Sequence, residues 1–219
     1  MVNSTTTLLT DAQIHEVFTK FYDKTPDPQI ELEYNSPYTL LVAVILSAQS
    51  TDIMVNKITS KLFCVADTPI KMIELGEEPL KEYIKMVGLY NNKAKNIIAM
   101  SKLLREKFHC EVPDNFDDLC SLPGVGIKSA TVILNCVYQK ALIAVDTHVF
   151  RVSNRLGLCN TKIPERTGVE LEKRIQKKWL LKAHYWLVLH GRYICKARKP
   201  LCDKCFLNDL CIYYNNKLS

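Results

Sequence analysis

Four cysteines crowd residues 195–211: Cys195, Cys202, Cys205 and Cys211, in the spacing C-x6-C-x2-C-x5-C. Thiolates this close repel one another and oxidise unless a cation holds them, so this end of the chain is built to close around a metal group. Four-cysteine zinc sites usually show two C-x2-C knuckles separated by a longer loop. Here one such pair is flanked by two single cysteines. Ligands arranged around a larger cubane core fit that spacing better, so an iron–sulfur cluster ranks first, zinc second and free thiols third. Cys64, Cys110, Cys120, Cys136 and Cys159 share no ligand spacing and read as small buried hydrophobes. No secretory or transit signal opens the chain, whose first basic residue is Lys20. The expected setting is therefore a reducing one, the cytoplasm, where the nine cysteines would not pair as disulfides.

Elsewhere the apolar residues recur at helical spacing, and only seven glycines are available for the left-handed positions of tight hairpins. Thr10 and Gln13 form a capping-box pair ahead of Ile14, Val17, Phe18 and Phe21. Asp23 to Pro37, with Pro26 and Pro28, reads as an extended linker, and Pro37 starts an apolar helix over Tyr38 to Ser47. The pattern predicts further helices over 52–63, 69–75, 79–86 and 92–108, with Gly88 as the stop after 79–86. A short helical turn follows at 116–120, then helices over 127–138, from Asp146 to about Arg155, and over 180–195. No segment alternates as a strand would, so the expected fold class is all-α.

The longest apolar stretch, Leu40 to Leu46 with Ala48 beyond it, is far shorter than the roughly 20 residues of a membrane span, so no membrane partner is expected. The net charge is +6, and the segment from Leu181 to Ser219 holds seven basic against two acidic residues, five of those six charges. Such a segment favours a polyanion, nucleic acid before membrane; a solvated basic surface is the plainer alternative.

Leu122-Pro123-Gly124-Val125-Gly126 joins two of the predicted helices. Its glycines permit close approach by another molecule, and the amides of Gly124, Val125, Gly126 and the next helical turn can face an anion. A duplex phosphate is the natural guest, which would make this a helix-hairpin-helix DNA anchor; a simple αα-corner is the alternative. Lys128 falls in the first turn of the following helix, where the dipole opposes a cation and favours the neutral amine of a Schiff-base nucleophile. An exposed lysine that merely snorkels would look the same. Asp146 stands where an ordinary N-cap would stand, and a carboxylate there can also face positive charge developing on a sugar.

Taken together, LPGVGIKSA at 122–130, AVDTHVFRV at 144–152, HGRYIC at 190–195 and the cysteine spacing resemble the endonuclease III family of DNA glycosylases. LSAQSTD at 46–52 and VGLYN at 87–91 match the same family, so the likeness runs in order from about residue 30 onward. It implies two helical domains flanking a DNA-binding cleft. One is a six-helix barrel over 30–140 with the helix-hairpin-helix at about 112–138; the other joins 1–29 to 141–219 and carries a 4Fe–4S cluster on Cys195, Cys202, Cys205 and Cys211.

By the same resemblance Lys128 is the catalytic lysine and Asp146 the catalytic aspartate. Gln49 and Leu89 push into the duplex where a damaged nucleotide is flipped out, and Gly124, Val125 and Gly126 grip the backbone. Lys196, Arg198 and Lys199 lie on a loop that the cluster would hold against DNA, with Lys199 as its DNA-binding residue. Ile127 departs from the family, which often has a basic residue there, and would remove one phosphate contact. The implied activity is removal of damaged bases, oxidised pyrimidines foremost, from double-stranded DNA, followed by β-elimination at the abasic site by a monomer associated with the nucleoid.

Three rivals stand beside this reading. The related adenine-mismatch glycosylases share hairpin, aspartate and cluster but use no lysine at the position of Lys128. A non-enzymatic DNA-binding protein with a structural or redox cluster would share the basic tail. An electron carrier fits least, since such carriers are usually acidic with denser cysteine runs. Thymine in mismatches is the alternative to oxidised pyrimidines as substrate.

Overall fold

The computed structural model describes residues 8–218, which form twelve α-helices, one 3₁₀ turn and no strand. In chain order the helices are α1 (Asp11–Lys24), α2 (Pro37–Ser47), α3 (Asp52–Leu62), α4 (Pro69–Leu75), α5 (Glu77–Ile84) and α6 (Tyr90–Lys107). There follow α7 (Phe116–Ser121), α8 (Ile127–Cys136), α9 (Thr147–Leu156), α10 (Pro164–Arg174), α11 (Lys177–Tyr193) and α12 (Ile212–Leu218), with the 3₁₀ turn at Cys202–Lys204 between the last two. The fold class is all-α, and among the described residues no helix is long and apolar enough to cross a membrane.

Side-chain caps start α1, α2, α3, α4, α7 and α9. Thr10 and Gln13 close a reciprocal capping box at α1, and Ser36 and Thr39 do so at α2 with Pro37 in the first turn. Thr51, Thr68 and Asn115 each accept an amide proton at the start of α3, α4 and α7. α5 departs from expectation. It starts at Glu77, where Glu77 and Glu78 suit the positive end of the dipole, and it ends at Ile84, too early for Gly88 to terminate it. The left-handed residue in that stretch is Leu89, with φ 59°.

The chain divides into two compact units. One spans Ile30–Tyr138, and the other takes both ends of the chain, Met1–Gln29 and Gln139–Ser219. In the first, α2 is the central element: every residue from Tyr38 to Leu46 is buried, and it packs against α3, α6 and α8. Each fully buried Leu or Val of this helix contributes about 1.5–3 kcal/mol, which fits a sequence of nearly unbroken apolar residues.

In the second unit, α1 lays Ile14, Val17, Phe18 and Phe21 into a core with Trp186 and Leu187 of α11. Phe21 stacks on Trp186 with ring centroids 5.9 Å apart and meets Phe206 edge-on at 5.4 Å. Trp186 Nε1 donates to the carbonyl of Thr25 at 2.8 Å, which satisfies its buried polar edge.

Candidate active site and metal centre

The hairpin before α8 is shaped by its glycines. Gly124 has φ 83°, and a Cβ there would stand 3.0 Å from the Cβ of Asn96 on α6, so any other residue would be both strained and crowded. Val125 is buried and donates its amide to Leu122, which fixes the turn, while Gly126 leaves open space. Gly126 is also the N-cap of α8 and makes no side-chain cap. Helix geometry leaves the first amides of α8 without intrahelical acceptors, so this end can receive an anion. Lys128 is an exposed residue of that first turn, and Ile127 beside it is 65% exposed.

Two further sequence-picked residues are brought together in the same unit. Gln49 follows α2 and Leu89 precedes α6, each at φ 59°. For side chains of this size a left-handed backbone costs roughly 1–2 kcal/mol, and retained strain of this kind marks functional positions. Both are exposed, Leu89 to 58%. A Cβ on Gly88 would stand 3.6 Å from the carbonyl oxygen of Gln49, so the two loops meet at the backbone.

In the other unit Asp146 is the N-cap of α9. One carboxylate oxygen accepts the amide protons of His148 and Val149, both at 2.8 Å. Helix α9 runs from this cap to the cysteine tail. Arg151 Nε donates to the carbonyl of Cys195 at 3.0 Å and its Nη2 to that of Gly191 at 2.8 Å. One turn on, Arg155 donates to the carbonyls of Lys196 and Ala197, each at 2.8 Å, and lies 3.6 Å from Cys195 Sγ. Gly191 lets α11 approach α9 so closely that a Cβ there would fall 2.7 Å from His148 Cβ. Sequence reasoning gave these two arginines no role. The usable signal was their spacing of four residues on the helix that Asp146 caps.

Cys195, Cys202, Cys205 and Cys211 all line one small cavity, closed on other sides by Leu156 and His190. Among the described residues no group of three or more His, Cys, Asp or Glu side chains is placed to hold a single metal ion. Spaced thiols around a cavity suit a group that brings several metal atoms of its own. Burial pushes the Cys205 thiol up to about 11 and the Cys211 thiol upward too, so neither ionises readily without a cation to bind. His190 Nε2 lies 3.5 Å from Cys205 Sγ, and burial lowers the pKa of this imidazole to about 4, which keeps it neutral. The residues present fit an iron–sulfur cluster. Lys196, Arg198 and Lys199 are exposed on the loop between Cys195 and Cys202. Of the remaining cysteines only Cys159 is buried; Cys64 is exposed, with its thiol on the Ser60 carbonyl, contrary to the expectation of five buried hydrophobes.

A family model described as HhH-GPD superfamily base excision DNA repair protein matches residues 42–179. A second, described as the iron-sulfur binding domain of endonuclease III, matches residues 195–211. Endonuclease III of Rickettsia conorii is 55% identical over 93% of this chain and 97% of its own length. That of Escherichia coli is 48% identical over 90% of this chain and 94% of its own. Among solved structures, a trapped endonuclease III–DNA covalent intermediate has a TM-score of 0.90 at 40% identity, covering 97% of this chain and 100% of that one. These matches decide between the metal alternatives: the cofactor is a 4Fe–4S cluster. The matched segments take in hairpin, aspartate and cysteine tail, and the chain belongs to the endonuclease III family of base excision repair enzymes, a DNA-binding glycosylase and abasic-site lyase.

Proposed function

We propose that the chain removes oxidised pyrimidines from double-stranded DNA and cuts the resulting abasic strand through an imine on Lys128. The observation that carries this reading is the place of Lys128, exposed on the side-chain-uncapped first turn of α8 directly behind the Gly124–Gly126 hairpin. A primary amine is the nucleophile that imine formation needs. A similar protein has been trapped as a covalent intermediate with DNA, which supports an enzyme–DNA bond here too.

In this mechanism Lys128 Nζ attacks C1′ as the N-glycosidic bond breaks, and the electron pair of that bond leaves with the damaged base. The carboxylate of Asp146 offsets the positive charge that develops on the sugar. The sugar ring then opens, O4′ takes a proton, and C1′ and Nζ share an iminium double bond. That iminium acidifies the C2′ proton. Its loss drives the electron pair toward C3′, the C3′–O bond breaks, and the downstream strand leaves with a 5′-phosphate.

Gly124, Val125 and Gly126 grip one phosphate of the duplex, and Gln49 and Leu89 fill the space the flipped nucleotide vacates. Cys195, Cys202, Cys205 and Cys211 would hold the cluster, whose irons would tie the tail together through the four cysteine thiolates. Lys199 meets the DNA backbone from the loop that Arg155 pins. Both proposed catalytic residues belong to one chain, so a monomer suffices, and its substrate places its work at the nucleoid. The substrate is tested with a panel of duplexes, each carrying one defined lesion. Oxidised pyrimidines should be cut fastest, and a preference for thymine in mismatches over every oxidised base would overturn the assignment.

A further inference from the structure

The C-terminus of α2 is closed in an unusual way. Helices of this kind commonly end on a left-handed glycine, and a basic side chain of the last turn often faces the final carbonyls. α2 has no basic residue in its last turn, and the left-handed residue just beyond its C-cap Ala48 is Gln49. The cation comes instead from α6: Lys93 Nζ donates to the carbonyl of Leu46 at 2.9 Å and to that of Ala48 at 2.5 Å. Lys93 is only 5% exposed, and burial lowers the pKa of its amine. A buried ammonium is a costly cap, tolerated only where its hydrogen bonds are made.

What this cap holds is specific. Ala48 immediately precedes Gln49. The backbone amide of the same Lys93 donates to the carbonyl of Leu89 at 3.0 Å. That main-chain bond is the first of α6 and seats Lys93 one turn from Leu89, so its side chain ties the end of α2 beside Gln49 to the helix that Leu89 opens. Leu89 has no side-chain cap of its own to hold it there.

We propose that Lys93 is a positioning residue for duplex opening: it holds Gln49 and Leu89 in register with one another, so that both enter the stack as the damaged nucleotide leaves. The inference rests on the duplex-filling role given to those two residues above. It makes a distinction that a purely structural role does not. A single-stranded abasic site has no partner strand to fill behind it, so Lys93 matters for duplex and not for single strand.

The experiment compares wild type, Lys93→Met and Lys93→Arg, all loaded with cluster, on one abasic strand presented alone and in duplex. The readout is the ratio of single-turnover nicking rates, duplex to single strand. Small misplacements of positioning groups cost up to about 10²-fold, so Lys93→Met should lower the ratio by ~10 to 10²-fold, while Lys93→Arg keeps the wild-type ratio. 2-Aminopurine placed opposite the abasic site should report less unstacking with Lys93→Met. If Lys93→Met fails to fold, Lys93→Gln, with an amide donor on a shorter stem, is read the same way. An unchanged ratio overturns the proposal, and so does a proportional fall on both substrates, which would make Lys93 a folding residue only. A wild-type protein that nicks neither substrate overturns the lyase reading itself and this inference with it, so the two failures are distinct.

Discussion

At Asp146 a single carboxylate oxygen accepts two amide protons at 2.8 Å, and that geometry separates helix capping from chemistry. Asn keeps an accepting oxygen and removes the charge. Asp146→Asn should therefore leave the thermal midpoint nearly unchanged while slowing single-turnover excision about 10²–10³-fold. Near-normal excision by the variant would leave Asp146 a cap and nothing more. Gly124 gives a second prediction at this scale. Gly124→Ala places a Cβ at φ 83° and 3.0 Å from Asn96, which should cost about 1–2 kcal/mol. Thermal unfolding would show that loss, and binding to damaged and undamaged duplex should weaken together; an unchanged midpoint contradicts the strain argument. Residues such as Lys128 and Asp146 were legible because helix starts obey local rules. Arg151 and Arg155 were not, because the carbonyls they hold around Cys195 lie more than 35 positions away in the chain, and their spacing of four residues was the one local sign.

The helices themselves divide in the same way. Those with side-chain caps and a strong apolar face, α1, α2 and α9 among them, could be read from the sequence. α10 and α12 could not. α10 carries Gly168 in its interior and buries only Thr167 and Leu171, so its periodicity is faint. α12 is a single short segment, rich in Tyr and Asn, after the last cysteine. Neither intrinsic propensity nor pattern marks such pieces; packing onto an existing core does.

At this scale α9 and the cysteine loop are joined by two arginines that hold the loop backbone, and on the proposed ligation the four thiols would hold it through the cluster. Cys202→Ser should lose iron and thermal stability together, read by absorption near ~400 nm and by unfolding. Lys199→Ala should keep the cluster yet bind all duplexes less tightly, with a salt dependence shallower by about 1 in log–log slope. An unchanged slope would remove the loop from the DNA interface.

For the whole molecule, the sequence carried the broad plan: an all-helical chain, a basic C-terminal segment and a metal-binding tail. The assignment of α1 to the same unit as the C-terminal helices came only with the resemblance, because hydrophobic periodicity says that a face is buried and not against what. The packing supplies the reason, through Phe18 and Phe21 against Trp186 and through Arg174, which donates to the carbonyls of both Leu9 and Leu158. On the proposed mechanism this scaffold presents one amine, that of Lys128, to an abasic sugar. Borohydride reduction of the protein on abasic duplex tests it most directly, since only an imine is captured as a stable adduct. The wild-type chain should give a covalent protein–DNA species, and Lys128→Gln should give none while still binding the duplex and retaining its iron. An adduct at the wild-type level in Lys128→Gln would assign the chemistry to another amine and rule out Lys128 as the nucleophile.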